Sequence, residues 1–460
     1  MTSVLWLRRD LRLRDHPALV SAHESSGAGG VLPVFVADPR LLGDSRRADA
    51  LVGALANLGE VYEGALVIRC GDPTEVLPAL VREVGATSVH VSAETTPYGR
   101  RRDDRVRAAL PVGVPMVATG SPYAVTPGRV LKANGSPYRV YTPFARAWRE
   151  HGWPRPADVP TGLRWHRGAS SDTVPAFDAG RGPDGAPSVG EQQAHSRWHE
   201  FLERGIADYG AMRDRPDVDG TSGMSAQLRF GTIHPRTMLA DLAARSSIGI
   251  DVASFVDELC WREFYADVLW HEPESAWTDL RTDLAEMVYD DPDQPVVTAW
   301  REGRTGYPFV DAGMRQLARE GWMHNRVRMV TASFLVKDLH VWWPHGARYF
   351  LSRLRDGDIA SNTHGWQWVA GTGTDAAPYV RVFNPVLQGE RFDPDGDYVR
   401  RYVPELAHVA GRAVHRPWDV PGGLAHGYPR RIVDHAAERL EALRRHDAAR
   451  RKAANLGDRY

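Results

Sequence analysis

Residues 65–91 read ALVIRCGDPTEVLPALVREVGATSVHV, and this stretch decides the fold. Ala65–Ile68 and Ser88–Val91 are short apolar runs suited to buried strands, and Pro73–Val84 between them has helical periodicity. Asp72 and Pro73 mark the helix start. The carboxylate can accept from free N–H groups of the first turn, and proline at the first helical position lacks only an N–H that would have no partner. Strand, helix, strand at this spacing implies a parallel sheet covered on both faces.

Working outward, Val4–Leu7, Val31–Val36 and Pro115–Ala118 add strands, and Arg46–Tyr62 and Gly99–Leu110 add helices. From about His151 to Gly190 the chain turns rich in Pro, Gly, Ser and Asp, ending RGPDGAPSVG. Beyond Glu191 helical periodicity dominates. The predicted organisation is an α/β domain over 1–135, a connector over 136–195 and an all-α domain over 196–460. The 460 residues are long for one core, which fits two domains. No G-x-G-x-x-G follows a strand and no G-x-x-x-x-G-K-[ST] occurs, so neither dinucleotide fingerprint nor P-loop is on offer.

Net charge is −1 from 57 basic and 58 acidic residues, which argues neither for nor against nucleic acid. Local grouping says more: Arg213, Arg215, Arg229 and Arg236 lie close in sequence, as do Arg319, Arg326, Arg328 and Lys337. The two cysteines, Cys70 and Cys260, cannot build a disulfide framework. The opening MTSVLWLRRDLRLRD has no secretory apolar core, and no run is long enough to span a bilayer. A monomeric cytoplasmic chain without an obligatory protein partner is expected. His195 and His199 stand four apart with no third ligand in view, so no metal site is expected.

Eleven of 15 tryptophans lie at or after Trp198, which raises the prospect of a flat aromatic ligand or of electron transfer beyond ordinary core packing. The stretch Asp251–Trp270 reads as a helix with an apolar stripe of Val252, Phe255, Val256 and Leu259. Its other face repeats Glu258, Trp261, Arg262 and Tyr265 at i, i+3, i+4, i+7. That face suits a planar polar ligand near a phosphate; it equally describes a salt-bridged surface helix. A second helix, Gly321–Asp338, puts Trp322, Asn325 and Met329 on one side, flanked by Arg326 and Arg328. Two such helices would suit a base drawn out of a duplex, read by stacking and by its polar edge. The segment Asp217–Arg236 groups hydroxyls and backbone amides at a helix start, as phosphate sites do and as plain helix caps also do.

Three blocks then resemble the photolyase/cryptochrome family, and the likeness covers nearly the whole chain. They are WLRRDLRLRDHPAL from Trp6, GYPFVDAGMRQLAREGWMHNRVRMVTASFLVKDL from Gly306, and DGDIASNTHGWQWVAGTGTDAAPYVRVFNP from Asp356. The resemblance implies an antenna domain, a helical FAD domain and light-driven repair of cyclobutane pyrimidine dimers in DNA. By motif match Tyr209, Thr221, Ser222, Gly223, Met224 and Ser225 would contact FAD, with Asp356, Gly357 and Asp358 on its other side. Asn362 would stand beside flavin N5. Glu258 would bond the flipped dimer's carbonyl edge, Trp261 and Trp368 would form an apolar wedge, and Asn325 and Met329 would add contacts. Arg213, Arg262, Arg326, Arg381 and Gln388 match positions near DNA. Trp343 and Trp366 match an electron-transfer chain whose outer member falls here on Asp290. Asn325 and Met329 stand where enzymes for the (6-4) lesion place histidines, so a class I dimer enzyme is favoured. The alternatives are a blue-light photoreceptor cryptochrome and a flavoprotein that neither repairs nor signals. The segment SAETTPYGRRRD resembles the deazaflavin-binding antenna type more than the folate type, with Phe35, Arg46 and Glu94 as pocket residues for an 8-hydroxy-5-deazaflavin.

Overall fold

The computed structural model describes residues 1–41, 46–173, 188–374 and 381–457. Five parallel strands, β1 (Thr2–Leu7), β2 (Gly30–Ala37), β3 (Val67–Cys70), β4 (Ala86–Val91) and β5 (Met116–Ala118), form one sheet in the order β3-β2-β1-β4-β5. The order reverses beside β1, so the sheet is doubly wound. Both faces are buried. Val4, Trp6, Leu32, Val34 and Val36 pack on one side with α3 (Pro73–Val84) and α4 (Pro97–Ala109), through Leu77, Leu80, Val81 and Val106. Leu5, Leu7, Val31 and Phe35 pack on the other with α1 (Pro17–Ser25) and α2 (Arg46–Val61). This two-sided burial is why the strands read as unbroken apolar runs.

Helix α3 forms as expected. Asp72 accepts from the Thr74 N–H, Pro73 follows it, and Gly85 closes the helix at φ +59°. The short α1, capped by His16, was hidden in the sequence because its nine residues carry little periodicity.

The first part of the expected connector is not a free linker. Val31 N–H donates to Arg164 O and His166 N–H to Val31 O, both at 2.8 Å, which places residues 164–166 alongside β2. Farther on, Asp172 N–H donates to Ile68 O, and the Asp172 carboxylate accepts from Cys70 N–H. Trp165 stacks on Tyr62 at 4.7 Å. Gly30, at φ +73°, permits this approach, because a Cβ there would stand 2.6 Å from Arg164 O. Most of the RGPDGAPSVG run lies outside the described residues.

Two compact units divide the chain differently from the predicted boundaries. One comprises Met1–Tyr138, Thr142–Ala207 and Ser222–Pro273; the other contains Arg139–Tyr141, Asp208–Thr221 and the chain from Glu274 on. The five strands belong to the first unit, and the described part of the second is helices, turns and loops. Helix Ala253–His271 falls in the first unit for a polar reason. Buried Glu263 accepts from the N–H groups of Ala124 (2.5 Å) and Val125 (3.0 Å) and from Trp148 Nε1 (2.6 Å), while Asp267 accepts from Gly128 N–H. Arg100 stacks 3.9 Å from the centre of the Trp270 ring. Among the described residues no helix is long and apolar enough to cross a membrane.

Burial pushes the Glu263 carboxyl up to about 7 despite its three donors. Between the ordinary glutamate value and pH 7 the folded chain therefore holds this proton more tightly than the unfolded chain does. Its contribution to stability is fullest at low pH and declines as pH rises towards 7. Glu263→Ala is expected to remove that slope and leave three buried donors unpaired, at about 1–3 kcal/mol each. Urea denaturation of both proteins from pH 5 to pH 8 checks this, and equal slopes would refute it.

Candidate active site

In the first unit, helix Ala253–His271 presents Glu258, Trp261 and Arg262 half-buried on one face, as the i, i+3, i+4 pattern predicts. Trp261 is braced edge-on by Phe264 at 5.7 Å and tilts over Tyr265 at 5.4 Å. Arg262 is held firmly: it donates to Pro122 O (3.0 Å) and Leu228 O (3.2 Å) and lies 4.4 Å over the Tyr123 ring. Ser222, Gly223, Met224 and Ser225 form a turn into the short helix Ser225–Phe230. Gly223 takes φ +67°, Ser222 Oγ accepts from Met224 N–H, and Arg197 Nε donates to Ser222 O at 3.1 Å.

The antenna residues also lie in this unit. Phe35 is buried in β2, and Glu94 follows β4, one of the two strands that flank β1. The Glu94 side chain is buried against Arg9 (3.9 Å) and Arg102 (3.8 Å) and accepts from Thr95 N–H; the arginines hold its carboxyl below the usual range although burial opposes them. Arg46 opens α2.

In the second unit, the pivotal element is helix Ile359–Ala370. Asp358 caps its start by accepting from Ser361 N–H at 3.1 Å. Its end is closed by Gly371 at φ +86° and by buried Lys337, whose Nζ donates to Ala370 O at 2.6 Å. Desolvation pulls that ammonium down to about 8. One face is fixed by polar groups. His364 Nδ1 donates to Ala360 O (2.8 Å), and its Nε2 meets the Ser275 hydroxyl at 3.0 Å. Burial lowers this imidazole to about 4, so it is neutral near pH 7, and the bonds assign its tautomer. Gln367 adds bonds to Ser275 O and Leu280 N–H.

Asn362 sits in the first turns of this helix. Its Nδ2 donates to Ala347 O at 3.1 Å, which leaves Oδ1 as the open acceptor. Asp356 accepts from Arg328 through Oδ2 at 2.8 Å, whereas its Oδ1 is buried without a hydrogen-bond partner. A buried carboxylate oxygen in that state is costly in water's absence and fits a ligand carrying hydroxyls or N–H groups. Tyr209 is buried in the short helix Tyr209–Met212, with Arg213 5.6 Å over its ring, and Thr221 is half-buried.

The second predicted helix begins later than expected. Gly321 adopts φ +63° to end helix Pro308–Glu320, and His324 caps a new helix, Asn325–Ser333, which runs into a π turn over Phe334–Asp338. Trp322 is therefore off the helix, its ring edge-on to His324. Arg328 does not flank the others but turns inward to Asp356 and Met323 O. Asn325 is exposed and Met329 half-buried. Arg326 forms a bidentate pair with Asp214 at 2.9 Å and stacks 4.5 Å from the Phe392 ring. Arg381 lies 5.0 Å over half-buried Trp368, and Gln388, on helix Pro385–Phe392, keeps a buried Oε1 without a partner.

Trp366 meets Trp300 at 6.3 Å and Phe350 at 5.0 Å, and Trp343 meets Trp342 at 6.5 Å. Asp290 is paired with Arg445 at 2.7 Å. Among the described residues no group of three side chains could hold a metal ion. The sequence reading missed Glu263, Asp267, His364 and Asp279. Only His364, inside a quoted block, carried any local signal.

The comparisons give the family. Residues 3–161 match the DNA photolyase family and residues 255–448 match the FAD binding domain of DNA photolyase. The deoxyribodipyrimidine photo-lyase of Escherichia coli is 37% identical, covering 98% of this chain and 99% of its own. A class III photolyase from Agrobacterium tumefaciens superposes with TM-score 0.89 at 36% identity, covering 98% of both chains. A Synechocystis cryptochrome superposes with TM-score 0.88 at 26% identity, over 96% of this chain and 98% of its own. The chain belongs to the DNA photolyase family, and it is a lyase of DNA repair with an FAD-binding domain.

Because Asp214 partly neutralises Arg326, Asp214→Asn should strengthen DNA binding and steepen its salt dependence. The expected change is about 0.9 in the slope of log K against log salt if one phosphate contact is gained in duplex DNA. Titrations at several salt concentrations check this; an unchanged slope removes Arg326 from the phosphate contacts.

Proposed function

We propose that the chain is a class I enzyme that reverses cyclobutane pyrimidine dimers in DNA under light. The observation that carries this reading is Asn362: an amide anchored through Nδ2, with its carbonyl oxygen left to accept the N5–H of a reduced flavin. An amide accepts that bond without adding negative charge. The unpartnered Asp356 Oδ1 supports FAD as the ligand, with Tyr209, Thr221–Ser225, Gly357 and Asp358 as further contacts.

The chemistry bound reduced FAD supplies is light-driven transfer of one electron to the dimer and its recovery afterwards. The protein's part is recognition and charge stabilisation. Glu258 hydrogen-bonds the dimer's carbonyl edge as negative charge builds there. Trp261 and Trp368 stack against the flipped bases, and Asn325 and Met329 contact them. Arg213, Arg262, Arg326, Arg381 and Gln388 lie near the DNA or its phosphates. An 8-hydroxy-5-deazaflavin near Phe35, Arg46 and Glu94 would widen the light response. The likeness to the Synechocystis cryptochrome favours a second reading, a photoreceptor without repair activity.

Repair of dimer-containing DNA by the purified protein under blue light separates the two; none, with flavin bound and reduced, refutes the first. Glu258→Ala should keep its flavin and lose quantum yield, since a bond to a charged group is worth about 1.5–3 kcal/mol. Undiminished repair would remove Glu258 from this role. Adding a deazaflavin, but not a folate, should introduce a new antenna absorption band, and the reverse result would reassign the antenna.

A further inference from the structure

Outside the groups assigned above, the second unit contains a carboxylate bonded to two consecutive indoles. Asp279 Oδ1 accepts from Trp343 Nε1 at 2.5 Å, and Oδ2 accepts from Trp342 Nε1 at 3.4 Å. The ring of Trp342 is 6.5 Å from that of Trp343, and Tyr289 follows at 6.4 Å from Trp342. The row runs outward, from Trp343, which is fully buried, to Trp342 and Tyr289, which are half-exposed.

Asp279 is held in place. Its neighbour Leu280 donates its N–H to Gln367 Oε1, Gln367 Nε2 donates to Ser275 O, and the Ser275 hydroxyl bonds His364. Carboxylates also bond the indoles of Trp148 and Trp198. Asp279 differs in having a second indole and an outward aromatic row. The contrast within this unit is Trp300, whose N–H goes to the carbonyl of Thr331, a far weaker base.

We propose that Asp279 is the proton acceptor for oxidised Trp343. One electron leaves the Trp343 ring for a light-activated one-electron oxidant, and the Nε1 proton crosses the 2.5 Å contact to Asp279 Oδ1. The products are a neutral indolyl radical and a neutral carboxylic acid, so no net charge is created at this pair. A thiol reductant later returns an electron and a proton to the ring, and Asp279 loses its proton to solvent. The driving force is chemical: an indole that has lost an electron is a far stronger acid than the intact ring. The carboxylate, although itself half-exposed, also attracts the cation. Tyr289 is not the resting place of the hole. Among the described residues its hydroxyl has no hydrogen-bonded base, and burial and the Asp279 charge push it well above the usual phenol range, so its proton is hard to remove.

The proposal rests on the flavin reading above only for its natural oxidant, and the test needs no flavin. A ruthenium polypyridyl photo-oxidant is tethered to Val288→Cys, an exposed position next to Tyr289, in a Cys70→Ser background. After a flash, transient absorption and electron paramagnetic resonance read the radical and its protonation. The full chain should show a deprotonated tryptophanyl radical forming at a rate slowed in heavy water and independent of buffer base. Asp279→Asn should show the protonated cation, lost only as buffer base is added. Should that variant not fold, Trp343→Phe must abolish the buffer-independent step. Any of three results overturns the proposal: wild-type kinetics in Asp279→Asn, persistence of the step in Trp343→Phe, or a tyrosyl signal that Tyr289→Phe removes. Absence of repair or of flavin would sink the earlier reading and leave this one standing.

Discussion

Helix Ile359–Ala370 is the element on which the second unit's chemistry depends. A helix that offers an amide and two indoles to ligands and neighbours must not rotate or slide. Its hydrogen-bonded termini stop the sliding. His364 and Gln367, bonded to Ser275 and Leu280, stop the rotation. His364 and Gln367 are neutral near pH 7 and hydrogen-bonded, whereas burying Lys337 carries a desolvation penalty that its bond to Ala370 O offsets only in part. Asn362, Trp366 and Trp368 thereby inherit positions they could not hold by their own contacts, which is the usual relation between a reactive side chain and the shell behind it.

The first unit solves a related problem with opposite chemistry. Its helix Ala253–His271 is fixed by carboxylates facing backbone amides, Glu263 towards Ala124 and Val125 and Asp267 towards Gly128. One helix thus bears acids of two kinds. Glu258 stays half-exposed, while Glu263, five residues on, is buried and anchors the helix. The arginines divide likewise: Arg328 and Arg262 serve carbonyls and a carboxylate of their own unit, and Arg326 is in an ion pair with its guanidinium still partly at the surface.

This division explains what could be read in the sequence. The strands were legible because a parallel sheet buried on both faces leaves no polar alternation to confuse, and the start of α3 because Asp72 and Pro73 announce it. The face of Glu258, Trp261 and Arg262 was legible from spacing alone. Which acid of that helix lies buried was not, since the answer depends on residues 124–128, well over a hundred positions away. The start of Asn325–Ser333 was misread because the periodicity of Trp322, Asn325 and Met329 continues smoothly through a break that only the positive φ of Gly321 produces. Asp279 had no signal at all, lying 64 residues before the indole it bonds.

The stretch over residues 164–172 has a consequence for the behaviour of the chain in a crowded solution. β3 is an outermost strand and is four residues long, so β2 would otherwise expose unpaired N–H and C=O groups beyond it. Such an edge is a template on which a foreign strand can grow. By answering Val31, Ile68 and Cys70 with its own backbone and the Asp172 carboxylate, the polar segment occupies that template. A stretch with little to bury thus acts as a guard against sheet-to-sheet aggregation.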